Sequence, residues 1–422
     1  MLLLIYFVLI YFLFHLKRGA SPGSFLVILY AISLICAVVI GYDYFPDTYF
    51  KVFNLVFMAA MLTLLFMPWN RFKYTSLIAD PDPDRVNRLA KILLLINSVV
   101  FVVCLIFIYY VFTHVTDYSE FKNGMDSEGV IGQMPINHLL WLLAIYLCPT
   151  SYFLVPLHFY YLKQRNYKYS ILALLFSLNI ILNGITHFSR SGFLVFFVMY
   201  IVYVPFYYPQ FATKAKHIMK FASALVAGLA AMVFYIITAS RFVDALQYLE
   251  SASTQSRIEN PILLSLLDYF SQWYKNCNEV MSLYVFNPLY GELSASLPLT
   301  FGNKMNLIDY PAGRVEAKLY TLWGTHFDGF NGLISDLLFD FGYMGTLFCI
   351  LAYGSLLTKF RPKNGVIMFH HFIVLGSLFV FPAMGITSSQ LKSVFYELAL
   401  VYAVIIYFYL KPKLNVSTAR FR

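Results

Sequence analysis

Two arginines at the ends of apolar segments are the side chains best suited to chemistry on an anion. Arg190 lies in a tight turn, Ser189-Arg190-Ser191-Gly192, between the sixth and seventh apolar segments, and Arg241 ends the eighth. A guanidinium group is planar and always charged, and its fork of N–H donors matches the oxygens of a phosphate. We therefore expect both arginines to bind a phosphate or pyrophosphate. The alternative is a long side chain that merely reaches the membrane interface.

More charged residues follow in the segment 240–331, the longest polar stretch of the chain. Arg314 and Lys318 flank a glutamate, and His326 and Asp328 come shortly afterwards. A histidine or a carboxylate beside cations that hold an anion can act as a general base. The pattern predicts Arg314 and Lys318 as anion-binding groups and His326 or Asp328 as the base. A solvated loop with ordinary ion pairs is the alternative.

Four polar residues next to these groups are candidates for supporting roles: His187, Asn331, Asp336 and Asp340. The two aspartates are four residues apart, so they share one helix face. Carboxylates at membrane depth need partners, and we expect both to neutralise the arginines rather than to react. His187 is more typical of a packed histidine at the interface than of a base.

The rest of the chain is predominantly apolar. Of its 422 residues 60% are hydrophobic and only 12% charged, whereas soluble domains are about a quarter charged. The composition predicts an all-α polytopic transmembrane helix bundle of about 11 spans. The whole chain, 1–422, would be a single membrane domain, with one long extracytoplasmic loop at 240–331 between spans 8 and 9. The predicted spans are 2–16, 25–41, 50–68, 91–113, 138–161, 170–187, 192–208, 218–239, 333–358, 366–384 and 393–410.

The basic residues predict the orientation. Twenty of the 30 fall in alternate loops, whereas the short loops on the other side hold four: Lys51, Lys122, Arg190 and Lys392. Because basic loops stay in the cytoplasm, we expect the N-terminus outside, the C-terminus in the cytoplasm and the 240–331 loop outside. A net charge of +9 that is distributed in this way argues against a nucleic-acid partner.

The outer loop is predicted to contain an amphipathic helix near 261–275. Asn260 followed by Pro261 is typical of a helix N-terminus, and apolar residues then recur at helical spacing as far as Trp273 and Tyr274. We expect this helix to lie on the membrane surface, with Trp273 at the depth of the lipid headgroups.

The sequence predicts no metal and no cofactor. Three aspartates alternate with prolines at 80–84, but they directly precede a predicted helix, where acidic residues are common. The five cysteines lack the spacing of a metal site or of a disulfide framework.

With these residues in place, the chain resembles the Wzy-type polymerases of bacterial surface polysaccharide, also called O-antigen or oligosaccharide repeat-unit polymerases. The Ser-Arg-Ser-Gly turn at 189–192 is similar to the Ser-Arg-(Ser/Gly) turn of that family. Phe-Asn-Gly-Leu at 330–333 and Asp-Phe-Gly-Tyr-Met-Gly at 340–345 resemble its pattern after the long outer loop. The topological likeness covers most of the chain, and the motifs cover about 30 residues.

The resemblance implies a multi-pass glycosyltransferase of the bacterial inner membrane. Its substrates would be polyprenyl-pyrophosphate-linked oligosaccharides, with membrane lipid and a chain-length regulator as further partners. Transfer would be metal-independent and inverting. The related O-antigen ligases have a functional histidine where this chain has Asn331, and this difference argues against a ligase. The composition is also compatible with a flippase for lipid-linked sugars or with a scaffold without catalysis, although charges deep in several spans, which a transport path needs, are few.

Overall fold

A computed structural model of the chain describes residues 2–41, 52–114, 137–186, 189–242, 256–284, 286–310, 314–323 and 330–412. Most of these residues are helical. The helices of the first half are α1 (Leu2–Arg18), α2 (Pro22–Ile40), α3 (Val52–Phe66), α4 (Pro83–His114), α5 (His138–Leu147), α6 (Leu154–Lys163), α7 (Tyr167–Ser177), α8 (Asn179–Thr186) and α9 (Ser191–Tyr207).

The second half begins with α10, which covers the predicted eighth span. Its helices are α10 (Thr213–Phe242), α11 (Pro261–Leu283), α12 (Ser296–Lys304), α13 (Arg314–Trp323), α14 (Gly332–Phe360), α15 (Phe369–Ala383) and α16 (Val394–Leu410). Short 3-10 turns lie at Trp69–Arg71, Cys148–Phe153, Tyr208–Gln210, Met384–Ile386 and Gln390–Lys392. Two-residue strands, β1 (Leu77–Ile78) and β2 (Val366–Ile367), pair in parallel.

Within the described residues, eight helical segments are long and apolar enough to cross a membrane. They are Pro22–Ile40, Val52–Arg71, Pro83–His114, His138–Lys163, Tyr167–Thr186, Ser191–Gln210, Gly332–Phe360 and Phe369–Ile386. Two shorter apolar helices, Leu2–Leu16 and Val394–Leu410, accompany them. The chain is therefore an all-α membrane protein, whereas the total of eleven spans, the orientation of the termini and the side on which the long loop lies stay predictions.

Loops from distant parts of the chain meet at one end of the bundle. The pairing of β1 with β2 joins the loop after α3 to the loop after α14. Lys163 Nζ lies 3.1 Å from Asp80 Oδ1, and Arg85 donates a hydrogen bond to the Lys411 carbonyl at 3.2 Å. These are loops of the basic set, so the structure gathers at one end the segments that the charge pattern assigns to the cytoplasm.

The centre of the bundle is α15, which is almost entirely buried. It packs against α9, α14 and α16. Tyr203 of α9 donates a hydrogen bond to the Ile373 carbonyl at 3.0 Å and accepts one from the Gly376 N–H at 2.7 Å. Paired polar groups of this kind fix the helix positions where uniform apolar packing would let them slide.

Candidate functional site

The turn that carries Arg190 is fixed by its own hydrogen bonds and by close helix packing. The Ser189 N–H donates to the Gly184 carbonyl at 2.8 Å, and the Ser189 and Ser191 hydroxyl groups lie 2.7 Å apart. A Cβ atom on Gly192 would collide with the Ile180 carbonyl oxygen. Since only glycine allows this approach of α9 to α8, the turn holds Arg190 in one place.

Arg190 is buried rather than spread over the membrane interface. Its side chain is only 7% exposed, and the guanidinium carbon lies 4.3 Å from the centre of the Tyr269 ring. Tyr269 in turn packs on Phe330, with ring centres 4.2 Å apart. The cation–π contact thus connects the predicted anion-binding arginine to the residue just before Asn331.

Helix α11 forms where Asn260 and Pro261 predict its start, and it extends beyond the predicted 261–275. The Asn260 side chain accepts a hydrogen bond from the Leu263 N–H at 3.0 Å. Trp273, which was expected at the depth of the lipid headgroups, is buried within the protein, and its indole N–H donates to Ser33 of α2. The apolar face of α11 packs on α2, α3 and α14, so protein covers the side chains that were expected to meet lipid.

Asn331 and Gly332 lie at the beginning of α14, close to α11 and to the loop after α15. Asn331 is buried and directly precedes α14. Gly332 has a φ of 80°, and a Cβ atom there would lie 3.2 Å from Cβ of Trp273. The Gly332 N–H donates to the Thr387 carbonyl at 3.1 Å. This backbone contact brings the loop after α15 to the beginning of α14.

Asp336 is paired with Lys392, not with an arginine. The carboxylate is fully buried, its Oδ1 lies 2.6 Å from Lys392 Nζ, and its Oδ2 accepts the Ser389 N–H at 2.6 Å. The expectation that Asp336 neutralises an arginine is therefore wrong. Sequence reasoning missed Lys392 as a site residue, although it has the feature that singled out Arg190, a basic residue in a short loop on the predicted outer side.

Asp340 is also buried, and it accepts hydrogen bonds from backbone N–H groups rather than from an arginine. Its Oδ1 accepts the Leu293 N–H at 2.9 Å, and its carbonyl accepts the Tyr290 N–H at 2.8 Å. Two residues later Gly342 leaves the helical conformation, with φ 66° and ψ −176°. Asp340 thus holds the 289–294 segment against α14, just before that helix is interrupted at Gly342.

Arg314 and Lys318 share one carboxylate, that of Glu292. Lys318 donates to Glu292 Oε1, and Arg314 Nε lies 3.9 Å from Oε2. Arg314 also donates to the Asp309 carbonyl at 2.9 Å. Both side chains are partly exposed, so the ion pairs that were the alternative for this segment are present. An anion that binds here has to compete with Glu292 for the two cations.

The remaining candidates are Arg241, His187, His326 and Asp328. Arg241 lies in the last turn of α10. The other three residues lie outside the described residues. In the part of the chain that the structure describes, no three His, Cys, Asp or Glu side chains gather as a metal ion would require. Asp80 and Asp82 form ion pairs with Lys163 and Arg85.

A small cavity joins the Arg190 turn to the Lys392 loop. Its volume is about 80 Å³, and Ser191, Gly192, Gln390 and Ser393 are among its lining residues. That volume holds a few water molecules and is well below the roughly 300–1,000 Å³ of a typical ligand pocket. Arg190 and Lys392 therefore belong to neighbouring segments at one end of the bundle, around the start of α14. Arg314 and Lys318 join the same end through Glu292 and the 289–294 segment.

This arrangement supplies fixed positive charge and leaves the base unassigned. Tyr269 holds Arg190 in place, as preorganised stabilisation of a developing anion requires, whereas the Asp336 carboxylate balances the charge of Lys392. Comparison with protein-family models, with curated proteins and with solved structures finds no match to this chain.

Proposed function

We propose that the chain polymerises lipid-linked oligosaccharide repeat units at the extracytoplasmic face of the bacterial inner membrane. The observation that supports this most is the buried guanidinium of Arg190, held over Tyr269 in a turn fixed by Gly192. Burying a guanidinium group costs free energy, and ionisable side chains at membrane depth usually serve a function such as phosphate binding. Lys392 lies near the same end of α14, where the Asp336 carboxylate balances its charge.

In the proposed reaction a hydroxyl oxygen of the acceptor repeat unit attacks the anomeric carbon of the glycan on the donor. The bond from that carbon to the pyrophosphate oxygen breaks, and the electron pair leaves with the polyprenyl pyrophosphate. Arg190 and Arg241 would stabilise the negative charge that grows on this leaving group. Single displacement inverts the anomeric centre. The hydroxyl proton goes to a base, for which His326 and Asp328 remain the candidates.

The salt bridges of Arg314 and Lys318 with Glu292 suggest a different task for that segment. Both cations are already paired with Glu292, so a phosphate has to displace that carboxylate before it binds. We assign them to the polar rim, where they would orient the sugar chain or attract the anionic lipid before it binds.

The test is an elongation assay with the purified full-length chain and two lipid-linked repeat units. Wild-type protein should give longer lipid-linked glycans without any other protein. Arg190→Ala should reduce the rate by about 100-fold, the usual effect of removing one preorganised donor. Arg190→Lys should also lose most of the activity, because lysine cannot form the paired donor fork. Arg257→Lys is the matched control, an exposed arginine beside Gly41, and should retain the wild-type rate.

Three results would refute the proposal. Full elongation by well-folded Arg190→Ala would remove the arginine from the mechanism. Translocation of the lipid-linked unit without elongation would identify a flippase, and transfer of the glycan only to a lipid A-type acceptor would identify a ligase.

A further inference from the structure

An apolar groove runs between α14 and α16, with α15 behind it. Its volume is about 740 Å³, and its floor is formed by Val374, Leu378 and Phe381 of α15. The walls carry exposed apolar side chains, among them Phe348 and Phe408. Both walls are apolar helices of a membrane protein, so the groove opens onto a surface that lipid chains cover.

One end of this groove is basic. Lys359 near the end of α14 and Lys411 just after α16 both line it. Lys411 Nζ also lies 5.9 Å from the centre of the Phe408 ring and 6.0 Å from that of Tyr407. Among the described residues no carboxylate lies within 4 Å of either ammonium group. The opposite end, at Ser294 and Leu391, contributes no charged side chain to the lining.

We infer that this groove binds one anionic phospholipid, with an acyl chain along its floor and the phosphate between Lys359 and Lys411. Basic pockets between membrane helices on the cytoplasmic side are suited to anionic headgroups. The charge pattern of the loops assigns the Lys359 and Lys411 end to that side. A zwitterionic lipid would fill the groove equally well but would leave the two lysines without a net counter-charge.

The bound lipid is distinct from the donor of the proposed polymerase reaction. Tyr396 and Lys411 both line the groove, and the 15 residue steps from one to the other rise about 22 Å along a helix. A phosphate at the lysines is therefore far from Lys392, which precedes α16 at its other end. The inference rests on the groove and its charges and stands without the proposed function.

Lipid retention by the purified full-length protein tests the inference. Native mass spectrometry would count the bound lipids after addition of phosphatidylglycerol or of phosphatidylcholine with the same acyl chains. Wild-type protein should retain one phosphatidylglycerol about tenfold more tightly than phosphatidylcholine. The double substitution Lys359→Gln and Lys411→Gln should abolish this preference, since each basic residue near the headgroup contributes a severalfold factor.

A matched control exists elsewhere on the same end of the bundle. Lys214 and Lys216 lie over the rings of Tyr167 and Tyr208, at 5.4 and 5.1 Å from the ring centres, and they do not line the groove. Changing both to glutamine removes the same charge and should leave the preference unchanged. Ala352→Trp, which fills the groove without altering charge, should reduce the retention of both phospholipids.

Three outcomes would overturn the inference. The first is equal retention of the two phospholipids by the wild type, and the second is an unaltered preference in the Lys359 and Lys411 variant. The third is displacement of phosphatidylglycerol by an equal amount of undecaprenyl phosphate, which would assign the groove to the isoprenoid lipid. A melting temperature for each variant, measured without added lipid, separates lost binding from lost folding.

Discussion

Buried charge decides which residues of the candidate site can react and which only hold structure. The Asp336 carboxylate is fully buried, and its ammonium partner Lys392 is 28% exposed. Removing one member of a buried pair leaves the other uncompensated, which costs several kcal/mol in full burial and less at partial exposure. Variants of this pair can therefore show whether Lys392 contributes to stability, to catalysis or to both.

We predict that Lys392→Met lowers the free energy of unfolding by about 1–3 kcal/mol, because Asp336 then lacks its counter-charge. Adding Asp336→Leu should restore most of that stability, since two apolar side chains replace the pair. Thermal unfolding in detergent gives the stabilities, and the elongation assay gives the activity. If Lys392 stabilises the leaving group, the double variant should regain stability but not activity. Recovery of both would make Lys392 a purely structural residue.

The second prediction at this scale concerns Cys277, which lies on the buried face of α11. Burial raises the pKa of its thiol to about 12, and only the thiolate reacts with a maleimide. A raised pKa means less thiolate at any given pH, so the reaction should be slow near neutrality and should accelerate only as the pH rises toward 12.

The measurement uses a chain in which Cys277 is the remaining cysteine of the five. We expect no maleimide labelling at pH 7.5 until the protein is denatured. In a second chain without Cys277, Glu279→Cys supplies the control, because Glu279 is exposed on the same helix and should label rapidly. Equal labelling rates at the two positions would contradict the packing of α11 against α2 and α14.

At the scale of the elements, the break in α14 determines where the 289–294 segment is held. Gly342 has φ 66° and ψ −176°, a conformation that is almost restricted to glycine. A Cβ atom there would also lie 3.0 Å from the Tyr284 hydroxyl. The glycine of the Asp-Phe-Gly motif thus ends one helical segment and lets Asp340 accept hydrogen bonds from a neighbouring chain segment.

Gly342→Ala should destabilise the protein by about 1–3 kcal/mol, although alanine is normally the better helix former. Gly228→Ala is the control: Gly228 lies inside α10 with nothing within 4 Å of an added Cβ, and this change should be neutral or stabilising. Melting temperatures of the two variants in the same detergent give the comparison. A Gly342 variant as stable as wild type would show that α14 tolerates a regular helix at this point.

At this scale the sequence predicts well those features that depend on residues adjacent in the chain. The start of α11 follows from Asn260 and Pro261 alone, because a helix N-cap depends on the next three residues. The partner of Asp336 could not be found in this way, since Lys392 comes from a different loop and the pairing depends on how α14, α15 and α16 pack. The burial of Trp273 was missed for the same reason. An amphipathic pattern shows that one face is covered and does not say whether lipid or protein covers it.

At the scale of the whole molecule, the loops divide between the two ends of the bundle as the charge alternation predicts. Segments of the basic loops meet through β1 and β2 and through Arg85 and Lys411. At the other end the Arg257 N–H donates to the Ile40 carbonyl at 2.9 Å, and the Gly332 N–H donates to the Thr387 carbonyl. The segments around residue 80 and those around residue 257 therefore lie near opposite ends of α2, as an odd number of spans between them requires.

Cysteine accessibility assigns the two ends. In a chain with the five native cysteines replaced, Leu307→Cys and Arg361→Cys each place one thiol at an exposed position, on opposite ends by the charge pattern. Because basic loops remain in the cytoplasm, a membrane-impermeant maleimide should label Leu307→Cys in intact spheroplasts and Arg361→Cys only after lysis. The reverse result would place Arg190 and Lys392 in the cytoplasm. A lipid-linked repeat unit that has already crossed the membrane could not reach them there, so the proposed polymerase reaction would lose its site.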